Sequence, residues 1–441
     1  MASLPLRNTP MLGQFAKPAS RETSTMRDLI VMGLLTWSLM MAMTVSQDYV
    51  AEQSTFRYLM FTMPIIIAAL CRPLALTTAL GGKAMWLVPF LFLSAAHHSI
   101  QGDFAAALQV GLLVLGLVWL CSPPVQFNRQ DVYRLYGAFV AIGFFVWIAT
   151  DFNRWGLIPG TTDPAYGIWR ISFFSNIAFS GFFSLFVILV ATKDGWRNSD
   201  NRYILALALY FLIFSYVRTA AICLVLYVFC QFIFRKINRP SYLFLISLLI
   251  SIAINVLIAF SSSLFNFLQD LPVISRLFLR GESQLTEFEI YQQLYRPWLW
   301  GEQLKLAVSS PYFLGWGSIP FVDLVQNSIF DYGLESGDSV SLPTKLLSQF
   351  GLAAIFFWIF LIVCLKQAAD RMDRWGCAVF PVVFTAMMHW GSMFHVTDPM
   401  AILYFGLLVK GSMLVSGPSS PQQTFLPGPA QRHSFVQAGV R

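Results

Sequence analysis

Charge is what this sequence has least of. Only 12% of its 441 residues are Asp, Glu, Lys or Arg, 56% are hydrophobic, and mean hydropathy is +0.63. Soluble domains carry roughly a quarter charged residues, so two or three soluble domains are excluded despite the length. Histidine is scarce as well: His97, His98, His389, His395 and His433 are the five, and none falls between residues 261 and 345. So scattered a set offers no metal-ligand cluster, and His97, His98, His389 and His395 read as packing or hydrogen-bonded residues. The six cysteines also avoid the 261–345 segment, which excludes a disulfide framework there; within apolar stretches they read as small hydrophobes. No internal repeat recurs, and no pair of Gly- or Pro-broken spans suggests an inverted-repeat transporter. The first 26 residues hold Arg7, Lys17 and Arg21 but no short apolar core with a small-residue cleavage site, so an uncleaved tail is expected.

Long apolar runs are what the sequence does have. Runs of about 16–20 residues, enough to cross a bilayer core of about 30 Å as a helix, recur at 29–46, 56–71, 84–100, 104–121, 135–150, 171–192, 203–217, 219–234, 242–260, 346–365, 376–395 and 398–415. The expectation is an all-α integral membrane protein with about 12 transmembrane helices. A cytoplasmic tail at 1–28 would precede nine spans over 29–260, a large polar loop over 261–345, three spans over 346–415 and a Pro-, Gly- and Ser-rich cytoplasmic tail at 416–441. With the N-terminus inside, about two thirds of the 29 Lys and Arg fall inside and about two thirds of the 22 acids outside. The net charge of +7 therefore concerns membrane sidedness, not nucleic acid. That orientation puts the large loop outside, in the periplasm of a Gram-negative cell.

Within the loop, Leu285, Phe288, Leu294 and Tyr295 lie near helical spacing until Pro297 ends or kinks the helix. A second helix is expected over 298 to about 308, then a turn at Pro311, Gly315 and Gly317. The aromatics Trp298, Trp300, Tyr312, Phe313 and Trp316 suit a segment lying along a bilayer surface and meeting a lipid-linked substrate.

Arginines carry the candidate chemistry. Arg218 separates two apolar stretches that are each short for a span and together too long for one helix, which fits a hairpin with its turn drawn below the outer surface. A snorkelling or ion-paired Arg is the plain reading; an anion site open to the outer face is the functional one. Arg276, Arg280 and Arg296 form a second group in the loop, able to grip phosphate oxygens in bidentate fashion. No D-x-D pair occurs outside, and Glu287 and Glu289 would point to different helix faces, so no metal site is indicated.

The run S-Y-V-R-T-A at 215–220 and the later R-P-W-L-W-G-E-Q-L-K-L-A-V-S-S-P-Y-F-L-G-W-G at 296–317 together resemble the motifs of the O-antigen ligase/polymerase family, over roughly residues 200–365. The resemblance implies a GT-C-like glycosyltransferase of a bacterial inner membrane, acting without metal or other cofactor on undecaprenyl-diphosphate-linked oligosaccharide. Arg218 and Arg296 would hold the diphosphate leaving group, with Arg276, Arg280 and Trp300 as further substrate contacts. Where ligases of the family carry a histidine before the Gly opening the next span, this chain has Val340, and Asp338 is the nearest titratable substitute for the catalytic base. That departure favours a polysaccharide polymerase over a ligase. A chain-length regulator and a flippase would be its partners, besides the bilayer. A flippase or other transporter is the rival from another class, and a membrane scaffold for a secretion complex the third.

Overall fold

The computed structural model describes residues 73–122, 126–149, 177–196, 201–215, 217–259, 300–319, 341–389 and 399–416, together with Ile66. The expected spans at 29–46 and 56–71 (Ile66 apart) and both tails lie outside the described residues, as do 261–299 and 320–340 of the expected loop. The described chain is mostly helical: α1 (Pro73–Leu80), α2 (Leu87–Ile100), α3 (Phe104–Cys121), α4 (Arg129–Ala149), α5 (Ile177–Ala191), α6 (Arg202–Phe214), α7 (Arg218–Phe234), α8 (Pro240–Ala259), α9 (300–309), α10 (Leu342–Phe350), α11 (Ile355–Asp370), α12 (Arg374–His389) and α13 (Pro399–Lys410). Among the described residues three runs are long and apolar enough to cross a membrane: Phe104–Cys121, Pro240–Ile258, and Leu342–Asp370. The last is broken at Gly351, whose φ of +58° and ψ of −144° close α10 before a 3-10 turn leads into α11.

Local signals account for where helices start. Asp103 caps α3 by accepting from the Ala106 N–H at 3.1 Å, and Asn201 caps α6 by accepting from Ile204 at the same distance. Val217 precedes α7 in an extended conformation without a side-chain cap, so Arg218 is the first helical residue. The expected hairpin around Arg218 is modified. α6 packs mainly on α5, while α7 packs mainly on α12, so the two helices part company at the 215–217 turn.

α12 is the central element, with every side chain from Trp375 to His389 buried except Phe384. Its contacts set the direction of both neighbours. The Trp375 indole donates to the Tyr227 hydroxyl at 3.0 Å and the Cys223 thiol to the Val382 carbonyl at 3.5 Å, so α7 runs antiparallel to α12. Ser247 meets Cys377 and Asn255 meets Thr385, so α8 runs parallel to it. Pro381 explains the first of these contacts. Without an N–H it leaves the Cys377 carbonyl unbonded within the helix, and Ser247 Oγ supplies the bond at 2.9 Å. A polar ladder continues along α8, with Ser251 Oγ donating to the Ser247 carbonyl at 2.7 Å and the Asn255 amide to the Ser251 carbonyl at 2.6 Å and Thr385 Oγ1 at 3.2 Å.

The end of the molecule away from His389 is closed by cations. Residues Phe127–Asn128 (β1) and Val415–Ser416 (β2) form a two-residue parallel pair. Lys83, Lys193 and Lys410 donate to the carbonyls of Val409, Val415 and Ser122. Arg129, 1% exposed, pairs with Asp194 at 2.5 Å.

Candidate functional site

Helix directions bring several polar groups to one end of α12. Arg218 lies five residues before Cys223 on the antiparallel α7, and His389 lies seven residues after Val382, so both sit beyond the Cys223–Val382 contact on the same side. α8 finishes at that end too, and Ser341, just before α10, donates there to Met388 Sδ at 3.5 Å. Trp300, at the start of α9, packs its ring against His389 with centroids 5.5 Å apart and planes at 58°. Of the residues singled out in the sequence, Arg218 is thus carried to this end by α7, and Trp300 meets the same end of α12 through His389. Arg276, Arg280, Arg296 and Asp338 lie outside the described residues; Arg296 stands four positions before Trp300 in the chain.

An apolar groove of about 550 Å³ runs between α7 and α8. Ala221, Ile222, Val225 and Phe229 line it from one helix, Ile250, Ala253, Ile254 and Leu257 from the other, and Arg218 is its one charged lining residue. It exists because α7 and α8 each turn their buried face to α12 and leave Val225, Phe229 and Leu257 exposed. The helix begins at Arg218, so the positive end of its dipole adds to the guanidinium charge at the mouth. A long apolar chain with an anionic head is the ligand chemistry this arrangement suits.

The aromatic turn after α9 is anchored, not free. Tyr312 and Phe313 take left-handed backbone angles (φ +53° and +61°), as do Gly315 and Gly317. The turn then runs beside the end of α10: Trp316 N–H donates to Ser348 O at 3.0 Å and Gly317 N–H to Gln349 O at 2.9 Å. The Trp316 indole donates to the Leu306 carbonyl at 3.0 Å, and Gly315 N–H to Ser310 Oγ at 2.8 Å. Ser318 closes the contact, its N–H and hydroxyl donating to Asp103 at 2.7 and 2.8 Å. Burial by itself would raise the Asp103 carboxyl, but the bonds from Ser318 and Ala106 and the nearby His98 outweigh it and hold the group below the usual carboxylate range. His98 is buried, within 3.1 Å of the Gln349 carbonyl through Nε2 and edge-on to Phe350. The packing role expected for this histidine fits its place. Asp103 is legible in the sequence as a helix cap, but its contact with Ser318 is not, because the two lie 215 residues apart.

α10 spans the nine residues from Leu342 to Phe350, about 13 Å of helix. It bridges the end of α12, at Met388, to the end of α2, at His98. The Gly-x-Gly turn therefore docks where the far end of α10 meets the α2–α3 corner. Among the described residues no group of three or more His, Cys, Asp or Glu is placed to hold a metal ion. Comparison with protein-family models, with curated proteins and with solved structures gives no match.

Proposed function

We propose that this protein is a membrane glycosyltransferase that polymerises oligosaccharide repeat units carried on undecaprenyl diphosphate, at the periplasmic face of a bacterial inner membrane. The observation that carries the reading is the apolar groove between α7 and α8 with Arg218 at its end. A polyprenyl tail fits the groove wall, and its diphosphate then meets a fixed cation at a helix N-terminus. The resemblance of residues 215–220 and 296–317 to the O-antigen ligase/polymerase family supplies the reaction class. The chain spans the bilayer about 12 times in this reading, and its GT-C-like outer loop starts and ends beside the Arg218–His389 end.

In the reaction, the bond between the glycan anomeric carbon and the diphosphate oxygen breaks as an acceptor sugar hydroxyl attacks. The bonding electrons leave with the diphosphate, and the hydroxyl proton passes to Asp338, the proposed base. Negative charge grows on the leaving group, so Arg218 and Arg296 stabilise the transition state more than the ground state. Trp300 offers a flat apolar face beside the transferred glycan, with Arg276 and Arg280 as further contacts to the diphosphate-linked substrate.

Deletion of the gene tests the reading. Polysaccharide gels are expected to lose their chain-length ladder while a single-repeat product remains. Long polymer retained on the carrier lipid would identify a ligase instead, and an unchanged ladder would remove the polymerase reading.

A further inference from the structure

We propose that the buried face of α9 forms a subsite for the sugar next to the diphosphate, read by Gln303 together with Trp300 and His389. The inference rests on the function proposed above and adds the element that recognises the glycan. Gln303 is fully buried, at 0% exposure, and both its Oε1 and Nε2 have no hydrogen-bond partner among the described residues. Buried carboxamides are nearly always bonded, so one left open on both sides calls for a ligand that supplies a donor and an acceptor together. Adjacent sugar hydroxyls, or a hydroxyl beside an acetamido group, do that.

The surroundings favour a sugar over a lone water. Gln303 shares the buried face of α9 with Trp300, Ala307 and Ser310, and Trp300 is packed against His389. An indole ring beside an open amide is a pair that recognises a pyranose, the ring taking its apolar face and the amide its hydroxyl edge. Ser310 is already used, donating to the Ala307 carbonyl and accepting from Gly315, which leaves Gln303 as the available group on this face. Asn255 adds a second open acceptor: its Oδ1 is buried without a partner at the level of Thr385, one turn from His389. The proposal puts the tail in the α7–α8 groove, the diphosphate at Arg218 and the first sugar at α9, whose Trp300 meets His389 at the Arg218 end of α12.

The test uses the full-length protein purified in detergent, with thermal unfolding followed against two lipids. One is undecaprenyl diphosphate; the other is the lipid-linked repeat unit extracted from a strain lacking this protein. The wild type is expected to need at least tenfold less of the repeat unit than of undecaprenyl diphosphate for the same upward shift. Gln303→Met, isosteric and apolar, is expected to keep the response to undecaprenyl diphosphate and lose that tenfold advantage. Should it not fold, Gln303→Asn, which keeps the amide one methylene short, is expected to do the same. An unchanged advantage in the variant, or equal responses to the two lipids in the wild type, overturns the subsite. Failure of the wild type to respond to either lipid overturns the polymerase reading itself, and the subsite with it.

Discussion

Gly315 and Gly317 show at the scale of single residues why the aromatic turn tolerates so little change. Both have positive φ, at +89° and +69°, and a Cβ would strike the Gln349 backbone at Gly315 and the Asp103 carboxylate at Gly317. Gly315→Ala is expected to cost at least about 2 kcal/mol, from backbone strain and the displaced α10 end together, read as a lower midpoint in thermal unfolding. Asp103 gives a pH signature. Its folded pKa is depressed, so its contribution is present above the unfolded value near pH 4 and is lost as pH falls through the folded value. Unfolding midpoints of the wild type should fall below roughly pH 4 more steeply than those of Asp103→Asn. Equal slopes in the acid range would contradict the assignment. Glycines and Pro311 marked the turn in the sequence, but its docking was illegible there because Asp103 and Gln349 meet it only through tertiary structure.

Element by element, apolar run length accounts for most of the described helices. The expected span at 104–121 coincides with α3, and that at 219–234 differs from α7 by one residue. The span at 346–365 misses the break, since α10 is buried on Leu342, Leu346 and Phe350 while crossing an end of the bundle, and the short 3-10 turn Gly351–Ala354 separates it from α11. Interhelix polar contacts were equally hidden. Pro381 inside α12 is visible in sequence; that Ser247 of α8 bonds the carbonyl it frees is not. Ser247→Ala is expected to destabilise by about 1 kcal/mol. In a Pro381→Ala background most of that cost should vanish, because the new N–H at 381 bonds Cys377 within the helix; a double-mutant cycle with no coupling would reject this. The groove between α7 and α8 makes a separate prediction. Ala253 lies exposed along its wall, so Ala253→Trp should leave unfolding nearly unchanged but weaken undecaprenyl diphosphate binding at least tenfold.

On the scale of the whole molecule, the two ends differ in character. One gathers Lys83, Lys193, Lys410 and Arg129 around β1–β2. The other gathers Arg218, Trp300, His389 and the aromatic turn. In the proposed reading, charge asymmetry places the first end in the cytoplasm. Gln101→Cys, in the α2–α3 corner, is thus expected to react with an impermeant maleimide in intact spheroplasts, and Arg371→Cys, after α11, only once they are permeabilised. Arg218 and Trp300 were legible as site candidates from charge within an apolar run and from aromatic clustering. Gln303 was not, because a glutamine in a polar loop draws notice only when its burial is known. The central claim is that Arg218 holds the diphosphate of a lipid-linked donor. It is tested most directly by chain extension in vitro, with purified protein and lipid-linked repeat units. Arg218→Ala and Arg296→Ala are expected to lower extension at least a hundredfold while the protein stays folded and monodisperse in detergent. Extension at the wild-type rate by folded Arg218→Ala would contradict the account.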